Sequence, residues 1–217
     1  MLGRCCKDIP IIVVNLPQLY LASSSPRRAE LLTQIGVRFA VIAATCDETP
    51  LPAEAPRDYV RRIARLKANA GGAEIAAQQL SLRPVLAADT AVICNARILG
   101  KPRDTSDAAA MLRLLSGRCH QVLTAVTLLI PAAAPREWSA LSESHVTFRA
   151  LTETEIMWYC RTGEPLDKAG SYGIQGYGAL FVTALNGSYS GVMGLPLCET
   201  GHLLEQAGIA LMPITAN

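Results

Sequence analysis

The residues of this chain best suited to chemistry are hydroxyls and arginines at a helix start, one carboxylate in an apolar strand, and lysines beside glycine or proline. Ser23-Ser24-Ser25-Pro26-Arg27-Arg28 follows the apolar run Leu19-Tyr20-Leu21-Ala22 and precedes Leu31, Leu32 and Ile35, with Gly36 just beyond. That order reads as strand, tight turn and helix, with Ser25 as N-cap and Pro26 at the first helical position. A helix start carries free N–H groups and a partial positive charge. With Arg27, Arg28 and the Ser23 hydroxyl added to it, the segment suits an anion, phosphate above all. A surface helix with two solvated arginines fits the same residues, and the motif alone does not decide between them.

Asp89 follows the apolar run Val85-Leu86-Ala87-Ala88 and has no basic residue among its sequence neighbours. A carboxylate so placed is either a buried hydrogen-bond acceptor or a base held on a rigid element. Lys101, between Gly100 and Pro102, is stiffly presented and suits a phosphate contact, although the surrounding residues do not form a P-loop. Residues 163–176 are rich in glycine and contain Glu164, Asp167, Lys168 and Gln175. A loop of that length and composition is of the functional kind, and the Gln175 amide can both donate and accept, as reading a base edge requires. A glutamine that staples its own loop is the competing reading. Asp47 and Glu48 lie in a proline-rich loop, where adjacent carboxylates are commonly just solvated. His120, His145 and His202 are scattered, so neither a histidine metal site nor a Ser-His-Asp triad has support.

The elements that must position these groups follow from the apolar pattern. The chain has 217 residues, half of them hydrophobic and 18% charged, which fits one sizeable core. We expect an N-terminal extension over 1–18 and a single domain over 19–210. A net charge of +2 with no basic stripe argues against a nucleic-acid partner, and no apolar run is long enough to span a bilayer. Seven cysteines without a C-x-x-C pair point to a reduced, cytoplasmic setting without zinc or disulfides.

Strands are expected at 19–22, 37–42, 85–88 (ending at Asp89-Thr90, with 91–94 extended beyond), 120–130, 138–151 and 178–185, with Asn186-Gly187 as a hairpin turn. Helices are expected at 58–79, with Tyr59, Ile63, Leu66 and Ala70 on one face and Lys67 beside it, at 105–116 with Thr105 as cap, from the capping box Thr152-Glu153-Thr154-Glu155, and around 199–207. The 120–151 region reads as an antiparallel hairpin. The mixture indicates an α/β fold with parallel and antiparallel strands.

In order along the chain, 23–32, Asp89-Thr90, 98–104, 162–176 and 187–196 closely resemble the Maf family of nucleoside triphosphate pyrophosphatases. The resemblance covers roughly 19–208. It implies an elongated mixed sheet flanked by helices, similar to the inosine triphosphatases, with two lobes about a central cleft and commonly a homodimer. It also implies metal-dependent hydrolysis of a nucleoside triphosphate to the monophosphate and pyrophosphate, with Asp89 as proton acceptor. Arg27, Thr90 and Gln175 stand at the positions that divide the family by substrate, and they fit its dTTP/UTP branch. The sister branch acting on 7-methyl-GTP tends to carry Trp, Gln and Glu there. A nucleotide-binding role in restraining septum formation is a further possibility that the family offers.

Combining the resemblance with the chemistry gives Asp89 as base, Ser23, Arg28, Lys67, Lys101 and Lys168 as phosphate contacts, and Mg²⁺ or Mn²⁺ as the cation, with Glu48 a weak candidate ligand. Leu66 departs from the family, many of whose members have Glu before the lysine of the long helix; Ala87 and Gly191 are smaller departures.

Overall fold

In the computed structural model, which describes residues 16–211, one strand organises everything else. This strand, β3 (Val85–Cys94), runs unbroken through Asp89 and Thr90 instead of stopping there. The sequence suggested a break because Asp and Thr interrupt the apolar run. In the fold these two side chains face opposite sides of the sheet at mid-strand, each with polar partners.

β1 (Leu19–Ala22) and β2 (Phe39–Ile42) run parallel to each other, and β1 runs parallel to β3. β4 (Arg97–Leu99), β5 (Cys119–Ile130), β6 (Arg136–Phe148) and β7 (Val182–Asn186) extend the sheet with antiparallel pairings. The strand order is β2-β1-β3-β5-β6-β7, with β4 paired to β3 off that path. β3 and β4 are joined through Asn95 and Ala96, both at positive φ (50° and 59°), the turn type that matches the twist of a hairpin.

Alternation along β3 explains the layers. Val85, Ala87, Ala91 and Ile93 face the long helix α2 (Pro56–Ala77), packing on Tyr59, Val60, Ile63, Ala64, Ala68 and Ile75. On the other face, Leu86 and Ala88 lie in a cluster with Leu31 and Leu32 of α1 (Pro26–Gln34) and with Leu203 and Leu204 of α6 (Leu197–Gln206). Val92 and Cys94, on that same face, belong to a separate cluster with Leu112 and Leu115 of α3 (Thr105–Leu115) and Tyr159 of α4 (Glu153–Arg161). Thr90 falls between the two clusters. The two-lobed form is thus written into one strand: apolar pairs at each end and a polar residue at the division.

The same division opens the sheet edge. β1 pairs with β3 only at Val85 and Leu86, and β4 only from Val92 onward. Residues 87–91 therefore have a strand neighbour on the β5 side alone, and the space across from them is the cleft. Ligands of open α/β sheets bind where neighbouring strands part in this way.

Other boundaries follow local chemistry. α3 is capped by Asp104, whose carboxylate accepts from Asp107 N at 2.8 Å, so Thr105 is the first helical residue and not the cap. The capping box at Thr152 and Glu155 forms in full. Leu66 is exposed, because the buried face of α2 runs through Val60, Ala64, Ala68 and Gly71. Between Gly176 and Phe181 the chain forms a 3-10 turn, and β7 begins only at Val182. Asn186-Gly187 leads into the short helix α5 (Tyr189–Met193), not into a second hairpin strand. Cys46, Cys94, Cys119, Cys160 and Cys198 are free thiols; Cys5, Cys6 and most of the 1–18 extension lie outside the described residues.

Candidate active site

A cavity of about 590 Å³ occupies the opening beside β3, and every site residue singled out from the sequence lines it. Ser23, Arg27 and Arg28 reach it from the start of α1, Lys67 from α2, and Asp89 and Thr90 from β3. Glu48, Lys101, Lys168 and Gln175 come from loops.

Asp89 is the buried charge of this cleft, with 5% of the residue exposed. Its Oδ1 accepts from Lys67 Nζ at 2.8 Å, and the same ammonium lies 2.9 Å from Glu48 Oε1. Lys67 therefore bridges two carboxylates. Burial pushes the Asp89 carboxyl pKa above its usual value, while Lys67 and the Arg28 guanidinium pull it back. The net direction is upward, which makes Asp89 a stronger base than an exposed aspartate. Tyr59 steadies the Glu48 segment from α2, its hydroxyl donating to Glu48 O at 3.0 Å; burial raises that phenol to a pKa of about 12, so it stays a donor.

Arg28 is held on several sides. Nε donates to Gly194 O at 2.8 Å, Nη1 to Ser23 Oγ at 3.1 Å and Nη2 to Thr90 Oγ1 at 3.4 Å. Thr90 in turn bonds Thr124 Oγ1 at 2.9 Å, and Thr124 donates to Gly191 O at 2.8 Å. This chain ties α1, β3, β5 and α5 into one wall. Gly194 sits at φ 116°, a conformation that L side chains rarely adopt, and it turns its carbonyl to the guanidinium. Ser25 does cap the helix by position, but its side chain makes no capping bond; instead Ser25 N donates to Ser23 Oγ at 3.1 Å.

The loop over 163–176 folds as short 3-10 turns whose closeness to β3 demands glycine. A Cβ on Gly170 would meet Val92 at 2.8 Å, and Gly170 N donates to Gly100 O at 3.0 Å, which ties this loop to the Lys101 segment. Gln175 is exposed in the cleft and makes no side-chain hydrogen bond among the described residues, so it does not staple the loop. Glu164 does. Its carboxylate accepts from Tyr159 Oη at 2.8 Å, Tyr177 N at 2.9 Å and Gly178 N at 3.1 Å. The sequence reading left Glu164 without a role, as it did Asp167 and Thr124, and it placed Tyr59 only on the apolar face of the long helix. Glu164 lies eleven positions before Gln175 (175 − 164), and only the folded loop brings it beneath the Gly176 turn.

Lys168 donates to Asp167 Oδ1 and to Glu164 O, both at 2.6 Å, while Asp167 Oδ2 accepts from Arg27 Nη1 at 3.2 Å. Lys101 is exposed in the cleft and has no side-chain partner among the described residues. No helix is long and apolar enough to cross a membrane among those residues.

The fit of a divalent cation can be tested on the donor set. Among the described residues no group of three or more His, Cys, Asp or Glu side chains gathers as a metal cage. Asp89 and Glu48 nevertheless converge on one point of positive charge, the Lys67 ammonium. Two carboxylates with remaining positions left to water and phosphate oxygens suit Mg²⁺ or Mn²⁺, and the residues present fit such an ion.

A dTTP/UTP pyrophosphatase of Bordetella avium (strain 197N) is 53% identical over 201 residues, covering 91% of this chain and 98% of that protein. A dTTP/UTP pyrophosphatase of Ralstonia nicotianae is also 53% identical over 201 residues, covering 90% of this chain and 96% of its own length. Among solved structures, a HAM1 protein of Coxiella burnetii superposes with a TM-score of 0.45 at 15% identity, covering 88% of this chain and all of that one. The family described as Maf-like protein matches residues 18–207, and the chain therefore belongs to the Maf family.

Proposed function

We propose that this protein hydrolyses nucleoside triphosphates, with dTTP and UTP preferred, to the nucleoside monophosphate and pyrophosphate. The observation that carries the reading is the placement of Asp89: a buried carboxylate of raised pKa facing a cleft whose walls also present Arg28, Lys101 and Lys168. The relatives named dTTP/UTP pyrophosphatase support the substrate class.

Asp89 takes the proton from a water placed for in-line attack on the phosphate chain, and its raised basicity favours that transfer. Ser23, Arg28, Lys101 and Lys168 hold the phosphate oxygens, where charge develops as a phosphorus–oxygen bond of the α–β anhydride bridge breaks and pyrophosphate leaves. Lys67 orients Asp89 and keeps it ionised, and it reaches the phosphates from the same wall. Asp89 and Glu48 would hold Mg²⁺ or Mn²⁺, which supplies charge neutralisation and polarises phosphoryl oxygen when bound. Thr90 and Gln175 edge the part of the cleft that receives the base, with Arg27 beside them. The protein works as a cytoplasmic homodimer in this reading.

A panel of nucleoside triphosphates assayed separately for pyrophosphate and orthophosphate tests it. Pyrophosphate release, fastest from dTTP and UTP, is expected. Orthophosphate release would make the protein a phosphatase, and 7-methyl-GTP as best substrate would move it to the sister branch.

A further inference from the structure

The carboxylate of Asp167 is out of place in a cleft meant for a polyanion. It lines the cavity, and its own charge repels phosphate. Its two oxygens are nevertheless both engaged, Oδ2 by Arg27 Nη1 at 3.2 Å and Oδ1 by Lys168 Nζ at 2.6 Å. Arg27 belongs to α1 and Lys168 to the loop that carries Gln175, so the pair of contacts joins the two lobes across the mouth of the cleft. Arg27 has no other side-chain hydrogen bond or ion pair among the described residues, so Asp167 is its one polar anchor there.

We propose that Asp167 is a positioning residue that clamps Arg27 to the 163–176 loop and thereby fixes the wall that reads the nucleobase. The inference rests on the nucleotide hydrolase reading and adds a residue to its selectivity. The neighbouring structure supports a clamp in preference to a chance surface pair. Glu164 anchors the loop from beneath, Gly170 pins it to Gly100, and Lys168 also donates to Glu164 O at 2.6 Å. Asp167 is the point at which this rigid loop takes hold of α1. With the clamp closed, the Arg27 charge is balanced locally and its guanidinium forms part of the wall. With the clamp open, the loop edge and Arg27 move independently, and the base is gripped less well.

The test measures dTTP and GTP binding by calorimetry with a chelator present, together with kcat and KM, for Asp167→Asn, Asp167→Glu, Arg27→Gln and the Arg27→Gln/Asp167→Asn double variant. Asp167→Asn should weaken dTTP binding and raise KM by about threefold to fivefold, with kcat changed by less than about twofold, as expected when a largely exposed charge pair that sets binding is lost. Discrimination between dTTP and GTP should fall, and Asp167→Glu should recover part of both losses. Arg27→Gln should reproduce the part of the loss that runs through Arg27, and the double variant should fall short of the sum of the single losses, because the two residues share the Arg27–Asp167 contact while Asp167 also holds Lys168. Unchanged or tighter dTTP binding in Asp167→Asn, or fully additive losses in the double variant, would overturn the clamp. Binding decides the clamp even if the triphosphate panel shows no hydrolysis, so the two readings fail separately.

Discussion

Lys67 Nζ lies 2.8 Å from Asp89 Oδ1, reaching it from α2, which packs on the face of the sheet opposite the one that carries α1. The pair has opposed effects on one proton. Burial disfavours the Asp89 carboxylate, and the ammonium favours it. A general base must be ionised to act, so the acid limb of the rate profile follows the Asp89 pKa. Because that pKa is raised, activity should decline on acidification sooner than it would with an ordinary aspartate. Lys67→Met removes the strongest influence lowering it, so the limb should move to higher pH. A kcat/KM profile from acid to neutral pH checks this, and an unmoved limb would separate Lys67 from the state of the base.

Asp89→Asn keeps the shape of the side chain and removes its ability to take a proton. Turnover should fall by roughly 10²-fold or more, with nucleotide binding retained. The fold should survive, since the substitution removes a buried charge that burial itself disfavours. Melting temperature and dTTP titration on the same sample distinguish lost chemistry from lost structure. Near-normal turnover in a folded variant would take Asp89 out of the mechanism.

Much of this site was legible in the sequence because its signals are local. Strand, turn and arginine-bearing helix lie within 19–36, and hydroxyl, proline and glycine mark each junction. Asp89 stood out by interrupting an apolar run. What could not be read was pairing at a distance: Glu48 and Asp89 share Lys67, and Thr90 reaches Gly191 only through Thr124 of β5. The hairpin expected after Asn186 failed for a related reason. An Asn-Gly pair permits a turn, but among the described residues no strand pairs with β7 beyond it, and Ser188 instead caps α5 by accepting from Gly191 N at 2.9 Å.

Lys101 offers the cleanest test of the phosphate site. It is exposed in the cleft with no side-chain partner among the described residues, so Lys101→Ala disturbs nothing but its reach to a ligand. Triphosphate binding should weaken by about 1.5–3 kcal/mol, the range for hydrogen bonds to charged groups. Arg28→Ala should cost a similar amount in binding and destabilise the fold as well, since it removes bonds to Gly194 O, Ser23 Oγ and Thr90 Oγ1. Equal losses for thymidine and dTTP with Lys101→Ala would place the lysine at the base instead.

His120 predicts how stability responds to acid. It is buried beside Phe148, its Nε2 lies 2.8 Å from Tyr172 Oη, and burial lowers its pKa from 6.5 to about 4. The unfolded chain therefore binds a proton on acidification before the folded one does. The stability due to the neutral ring is complete above about pH 6.5 and is lost as pH falls toward about 4, by about 3 kcal/mol at most. His120→Gln should flatten the difference in unfolding free energy between these pH values. A slope unchanged by the substitution would assign the acid sensitivity to other groups.

Gln175 governs the choice of base in our reading. Thymine and uracil present an acceptor, donor, acceptor edge, and a primary amide can satisfy two adjacent positions of it. Gln175 is free to do so, because Glu164 and not Gln175 carries the hydrogen bonds that shape the loop. Thr90 leaves room in the cleft, its hydroxyl committed to Arg28 and Thr124. A site built to bond one edge rejects a mismatched base because its own polar groups are left unpaired. ATP and GTP should accordingly be poor substrates, and dTTP and UTP should be used with similar efficiency. Gln175→Glu loses the amide donor and adds a negative charge without disturbing the loop. It should reduce dTTP turnover more than any residual activity on 7-methyl-GTP, with an unchanged melting temperature. Equal loss on both substrates in a stable variant would remove Gln175 from base recognition.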